Sequence, residues 1–243
     1  MQEGRTARAR PRVYLWFGFA ALAATVIGFM GTFVLPTLQG RFVAIPFVHL
    51  HGALLLAWLL LYVLQSSLVH ASRVQLHRRL GWFGAALAVA VALSTMAVGV
   101  SALHRDLAAG LGQLARSSLV GTFTSPLIFL LFVAAAVHWR RTPEIHKRLM
   151  LLALLAIVWP AFFRFRHFFP PVDNPSLWFG VVLPDSLVLL AMLRDRLVLG
   201  RVHPAYLVGG FGLIAENLFE GWMFDGPAWR VLGNWLSGFF VAA

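Results

Sequence analysis

The sequence contains no cysteine. This absence excludes disulfides, iron–sulfur clusters, thiolate metal sites and cysteine nucleophiles, so any metal or cofactor must be held by histidine, carboxylate or methionine. Charge is also scarce: 12% of the 243 residues are charged and 60% are hydrophobic. An ordinary soluble domain has about 25% charged and about 45–50% apolar residues. These proportions exclude a soluble globule and favour an integral membrane protein.

Several catalytic motifs are missing as well. The chain has no phosphate-binding glycine loop, no histidine pair of the zinc-protease type and no activated serine elbow. Its single lysine, Lys147, lies in a predicted loop. No span therefore offers a lysine for a Schiff base, which excludes retinal-type photoreceptors.

Apolar runs that are long enough to span a bilayer make up most of the sequence. They predict spans at residues 13–35, 46–69, 80–103, 118–138, 149–168, 177–193 and 204–222. The predicted fold class is therefore all-α, a polytopic transmembrane helix bundle of about seven spans. The predicted organisation is a basic cytoplasmic segment at 1–12, a seven-helix domain at 13–222 and an amphipathic helix at 228–243.

The basic residues divide unequally between the two sides of this arrangement. One side carries 14 of the 20 Lys and Arg residues and the other side carries 6. Because basic loops resist translocation, the richer side is predicted to be cytoplasmic, with the N-terminus inside and the C-terminus outside. The net charge of +11 is thereby explained without a nucleic-acid partner.

The C-terminal residues have the pattern of an amphipathic helix that is too short to span the membrane. We expect this helix to lie flat in the outer interface of the bilayer. Its apolar stripe comprises Leu232, Trp235, Leu236, Phe239 and Phe240, opposite Arg230, Gly233, Asn234, Ser237 and Gly238.

A weak internal repeat marks two histidines. The segments Leu76–Leu80 and Ile145–Leu149 both read apolar-His-basic-Arg-Leu and each opens an odd-numbered span. If the segments are equivalent, His77 and His146 lie at the same depth on helices that face one another, and two neutral imidazoles can hold a haem iron. The alternative is that each is an interface residue beside the basic loops.

A second polar group falls in the outer half of the predicted bundle. Asp185 and Glu216 lie inside spans, where an ionisable side chain costs several kcal/mol unless it is paired, roughly 2.5–3.5 on insertion scales. The candidate partners by depth are His51, Arg164, Arg166 and His167. These residues form either a functional pocket or a buried ion pair that fixes helix packing. The aromatic residues around Arg164 and Arg166 suit an anionic or quinone-like ligand, or else form an ordinary aromatic belt.

Four segments of the chain share a pattern with one protein family: His51-Gly52 with Trp58 and Gln65, His77-Arg78-Arg79-Leu80-Gly81, His146-Lys147-Arg148-Leu149-Met150, and Asp185 through Arg201-Val202-His203-Pro204. By these segments the chain resembles an uncharacterised family of bacterial seven-helix membrane proteins, and the resemblance implies a bacterial inner membrane. The resemblance covers most of the chain, and that family carries no assigned activity.

Spans 2 to 5 are more distantly similar to the four-helix core of haem-b transmembrane cytochromes and ferric reductases. That likeness implies one haem held by histidines on spans 2 and 4 and another held by histidines on spans 3 and 5. His77 and His146 would form the second pair. His51 would be half of the first, but span 4 has Thr122, Thr124 and Ser125 at that depth instead of a histidine.

Two functions from different classes follow. The first is a haem-b redox protein that exchanges electrons with a quinone or a metal substrate. The second is haem-free: a transporter or channel for a small molecule or ion with Asp185 and Glu216 on its path, or an accessory subunit or assembly factor of a membrane complex. The lipid bilayer is a partner under either interpretation.

Overall fold

A computed structural model describes residues 12–169 and 171–241 of the chain. All regular structure within these residues is helical and none of it is strand, which confirms the all-α class. Most of the predicted basic segment at 1–12, including Arg5, Arg8 and Arg10, and the last two residues of the predicted amphipathic helix lie outside the described residues.

Six helices of the described chain are long and apolar enough to cross a membrane. Each corresponds to one of the first six predicted spans, and the protein is an integral membrane protein. They are α1 (Val13–Leu38), α2 (Pro46–His70), α3 (Val74–Ala108), α4 (Gln113–His138), α5 (Pro143–His167) and α6 (Pro175–Leu199).

The helices begin and end at residues with clear local causes. Three of the six begin at a proline, namely Pro46, Pro143 and Pro175, where the missing N–H has no partner in a first turn anyway. Gly110 after α3 and Gly200 after α6 have φ of 80° and 71°, the left-handed conformation that commonly ends a helix.

The long helix α3 extends well beyond its predicted span of 80–103. It has 35 residues and is therefore about 50 Å long, whereas the hydrocarbon core is about 30 Å thick. The prediction stopped where charged side chains begin, but arginine can continue a helix while its long side chain reaches water.

The seventh predicted span is a helix of a different character. It covers residues 206–223, with a π-helical turn at Tyr206–Gly210 followed by Phe211–Met223, and it is not among the six apolar candidates. It runs from Tyr206, whose ring lies 5.6 Å from the Arg148 guanidinium, to beyond Glu220, which accepts a hydrogen bond from Thr124 on α4. We call this helix α7.

The helices pack as a ring with two additions. Neighbours in the ring are α1–α2, α2–α3, α3–α4, α4–α5 and α5–α1, and α6 and α7 pack on α5. Helix α5 is therefore central, and 61% of its most apolar window is buried, against 17–39% for the other five. We call the end that contains loops 71–73, 139–142 and 200–203 the basic end, and the end that contains loops 109–112, 168–174 and 224–226 the opposite end.

The contact between α1 and α5 depends on a small residue. A Cβ added to Gly28 would lie 2.2 Å from the backbone oxygen of Ala161. A side chain at this position would therefore force the two helices apart, which is how small residues permit close helix packing in membranes.

The C-terminal helix, α8 (Pro227–Ser237), packs on the beginning of α4. The Trp229 indole donates to the Ser117 carbonyl over 3.0 Å, and a Cβ on Gly233 would lie 2.8 Å from the Arg116 carbonyl oxygen. The stripe that contains Gly233 and Ser237, predicted to face water, therefore faces α4, because small residues allow close packing. Trp235 is 61% exposed, and the position of α8 in the bilayer interface stays a prediction.

Candidate functional sites

The two repeated histidines meet at the basic end of the bundle. Each lies three residues after the start of its helix, His77 in α3 and His146 in α5. Their ring centroids are 6.1 Å apart and their planes are nearly perpendicular, at 83°. The equivalence suggested by the repeat thus brings both imidazoles to one place.

The hydrogen bonds of this histidine pair determine which nitrogen atoms are free. Nδ1 of His146 lies 2.8 Å from the carbonyl oxygen of Ala136. Because a carbonyl only accepts, Nδ1 of the neutral ring carries the proton and Nε2 keeps its lone pair. Nδ1 of His77 is buried and has no hydrogen-bond partner among the described residues.

The third candidate haem ligand, His51 on α2, contacts a different helix. Its Nδ1 lies 3.0 Å from the hydroxyl of Ser94 on α3, and that hydroxyl already donates to the Val91 carbonyl. Nδ1 of His51 therefore donates and its Nε2 is free. The one histidine of α4 is His138, at the basic end, so α4 offers no second ligand near His51.

A buried ion pair at the basic end is the feature that sequence reasoning missed. Arg148 is fully buried. Its Nε donates to Asp195 Oδ2 over 2.6 Å and its Nη2 donates to Asp195 Oδ1 over 2.9 Å. This two-point geometry is the strongest form of guanidinium–carboxylate contact, and it joins α5 to α6.

Further charges complete this network. Nη1 of Arg148 lies 2.7 Å from Glu144, which also pairs with Lys147, and Arg194 lies 3.1 Å from Asp195. Lys147 and Arg148 lie outside the span predicted at 149–168, and their predicted position in a loop was wrong, because α5 begins at Pro143.

The sequence carried no clear signal for the burial of Arg148. The residues that follow it on α5 are apolar on every side of the helix, and all of residues 151–158 are buried. A helical period therefore does not single out the face on which Arg148 lies.

A group of carboxylates lies toward the opposite end, between α4, α6 and α7. Asp185 on α6 accepts a hydrogen bond of 2.7 Å from the side-chain amide of Asn217. Glu220, four residues after Glu216 on α7, accepts a hydrogen bond from the hydroxyl of Thr124 on α4. Glu216 interacts electrostatically with both Asp185 and Glu220. We call Asp185, Glu216 and Glu220 the carboxylate cluster.

The predicted cationic partners of Asp185 have other contacts. Arg164 donates to the carbonyl of Pro160 over 2.8 Å and stacks 4.0 Å above the Phe29 ring. Arg166 donates to the carbonyl of Phe163 over 2.6 Å, and His167 is exposed. The structure thus brings Asp185 and Glu216 together, while His51, Arg164 and Arg166 bond elsewhere.

An open apolar groove adjoins the end of α5. It has a volume of about 550 Å³ and includes some of the aromatic residues around Arg164 and Arg166 for which an anionic or quinone-like ligand was predicted. It is lined by Phe165, Phe169, Val172, Trp178, Phe179, Val182, Leu183 and Ser186.

Comparison with known proteins identified no relative of this chain. No protein-family model, no curated protein and no solved structure matches the chain. The class of the protein, an α-helical integral membrane bundle, therefore rests on its own helices, and its activity must be argued from its own side chains.

Proposed function

We propose that the protein is a haem-b redox protein of the membrane, in which His77 and His146 hold the haem iron. One observation carries this proposal: the two imidazoles come from different helices and approach to 6.1 Å between ring centroids, with both residues half-buried. Histidines on facing helices are a common way in which a bundle holds a cofactor.

The nitrogen atoms of the pair fit the role of iron ligands. The Ala136 carbonyl fixes the tautomer and the ring orientation of His146, as outer partners do for metal-ligating histidines. This leaves Nε2, which keeps its lone pair, as the atom that would bind iron. The unpartnered Nδ1 of His77 supports a neutral imidazole there. Bound haem would supply one-electron transfer, and the two histidines would set its potential together with the burial around them.

The proposal is tested by the absorption spectrum of the purified protein. Protein made in cells supplied with haem precursor should show a Soret band, and the band should be lost in His77→Ala and in His146→Ala. His138→Ala is the matched control, because His138 ends α4 at the same end of the bundle and should leave the band intact. His70→Ala should also leave it intact.

Colourless wild-type protein would contradict the haem proposal. It would leave the haem-free alternatives: a transporter or channel, or an accessory subunit or assembly factor of a membrane complex.

The substrate we propose is a quinone or a metal. The apolar groove is too far from the histidine pair to be the place where this substrate meets the haem. His146 and Phe165, which lines the groove, are 19 residues apart on α5, or about 28 Å at 1.5 Å per residue. A single haem at His77 and His146 does not span that distance. We therefore propose that electrons are exchanged at the basic end.

We further propose that the basic end faces the cytoplasm of a bacterial cell, with α7 as a seventh span and the C-terminus outside. The loops at this end carry Arg73, Arg140, Arg141 and Arg201, as positively charged cytoplasmic loops do. An alkaline phosphatase fusion after Ala243 should be active. An inactive fusion, with an active cytoplasmic reporter at the same point, would contradict this topology.

A further inference from the structure

Three acidic side chains inside the bundle have no cationic partner. Among the described residues, no ion pair includes Asp185, Glu216 or Glu220. Burying an unpaired carboxylate in an apolar medium is so costly that the group usually takes up a proton instead.

A second observation shows that the cluster is incomplete. Asp185 is only 5% exposed, and while its Oδ1 accepts from Asn217, its Oδ2 is buried without any hydrogen-bond partner among the described residues. Buried polar atoms are nearly always bonded. The free oxygen is therefore a position at which a proton or a small hydrogen-bond donor can bind.

We propose that the carboxylate cluster of Asp185, Glu216 and Glu220 is a proton-binding site inside the membrane-spanning bundle. The proton adds to an oxygen of Asp185 or Glu216, and the product is a neutral carboxylic acid. This site is separate from the histidine pair and does not depend on haem.

The neighbouring groups favour a proton over a metal ion. No group of three metal-type ligands among the described residues has the geometry to hold an ion. The hydrogen-bond donors that touch the cluster are neutral, the Asn217 amide and the Thr124 hydroxyl. Neutral donors orient the carboxyl groups without supplying a fixed positive charge, so protonation can change the charge of the site.

The charged groups of the surrounding helices do not cancel this charge. Helix α7 contributes Glu216 and Glu220 themselves, and α4 contributes Thr124. The cations at the corresponding end of α5, Arg164 and Arg166, donate to carbonyls of their own chain segment.

Labelling with dicyclohexylcarbodiimide tests the site in the full-length wild-type protein. This reagent modifies protonated carboxyl groups in apolar surroundings, and peptide mass spectrometry identifies the modified residue. Asp185 or Glu216 should be labelled, and the labelling should decrease as the pH rises, by about tenfold per pH unit once the group ionises.

Asp195 is the matched control on the same helix. It is fully buried, but both of its carboxylate oxygens accept hydrogen bonds from the Arg148 guanidinium, so it should stay unlabelled. Labelling of Asp195 to the same extent as Asp185 would overturn the proposal, since burial alone would then explain the reaction.

An infrared measurement covers the case in which the reagent cannot enter. The wild-type protein should show the C=O stretching band of a protonated carboxylic acid, and Asp185→Asn or Glu216→Gln should remove or weaken that band. Absence of both labelling and band would overturn the proposal. The result is distinguishable from a failure of the haem proposal, because neither measurement reads the Soret band.

Discussion

Helix α6 carries two buried aspartates whose surroundings differ. Asp195 and Asp185 are 0% and 5% exposed and lie ten residues apart, about 15 Å along the helix. Asp195 receives two hydrogen bonds from the Arg148 guanidinium, whereas Asp185 receives one from the neutral amide of Asn217. Burial is nearly equal, so the partner decides the role.

This difference separates a structural element from a binding site. The Arg148–Asp195 pair satisfies both of its charges and joins α5 to α6, so its removal should affect folding. The Asp185 carboxyl keeps one oxygen free, so its removal should affect chemistry. The following predictions test whether this separation is correct.

The largest expected effect is that of Asp195→Asn. Removing Asp195 leaves the buried Arg148 paired only with the exposed Glu144, and breaking a buried ion pair typically costs about 3–5 kcal/mol of unfolding free energy. Thermal unfolding in mild detergent should show a clear loss of stability. Asp106→Asn is the control, because the Arg105–Asp106 pair is largely exposed on its arginine side and should change stability little. A wild-type melting temperature for Asp195→Asn would refute the structural role.

Replacing both partners should reverse most of that loss. In the double variant Arg148→Met with Asp195→Leu, neither buried charge remains. Exchanging a buried pair for apolar residues of similar volume is often neutral or stabilising by about 1–4 kcal/mol. The double variant should therefore unfold at a higher temperature than the Asp195→Asn variant in the same thermal assay. If it is no more stable than the single variant, the packing around the pair matters more than its charge.

Asp185→Asn should change stability by less than about 1 kcal/mol, because an asparagine has the same volume and its carbonyl can still accept from Asn217. The infrared band of the protonated acid should nevertheless be lost or weakened, since the amide cannot take up the proton. The comparison requires the melting temperature and the infrared spectrum of the same preparation. A steep fall in melting temperature with an unchanged band would make Asp185 a structural contact like Asp195.

The smallest effect is expected outside the bundle, at the exposed pair of Asp225 and Arg230. Hydrogen bonds from Arg230 and then from Ser117 hold the pKa of the Asp225 carboxyl below its usual value. A carboxyl with a lowered folded-state pKa stabilises the fold above its unfolded-state pKa, and this contribution is lost as the pH falls through the lower value.

Acidification below about pH 4, the ordinary range of an aspartate, should therefore loosen α8 slightly. Limited proteolysis at decreasing pH would detect this change, and Arg230→Ala should reduce its pH dependence. An identical pH profile in Arg230→Ala would show that the pair does not hold α8.

Local patterns in the sequence predicted a large part of the fold. The first six spans are helices because an apolar run of bilayer length needs no information about its neighbours. The starts at Pro46, Pro143 and Pro175 are local for the same reason. The repeat also predicted that the rings of His77 and His146 lie close together, because each histidine occupies the same position relative to the start of its own helix. Their role as haem ligands stays a prediction.

The candidate sites were predictable only in part. Asp185 and Glu216 attracted attention because acids are rare in spans, but their predicted cationic partners, Arg164 and Arg166, bond to backbone carbonyls instead. Arg148 was predicted to be one of several loop cations, because the predicted span begins only at residue 149. The burial of Arg148 could be recognised only once the direction in which its helical face points and the position of Asp195 were both known.

The sequence by itself determined that this protein is a helical membrane bundle with a histidine at the start of α3 and of α5, because hydropathy and helical period are properties of short segments. Only the tertiary structure decided that Asp195 is paired and Asp185 is not. Pairing depends on how α5, α6 and α7 rotate and shift against one another, and that arrangement results from packing along their whole length.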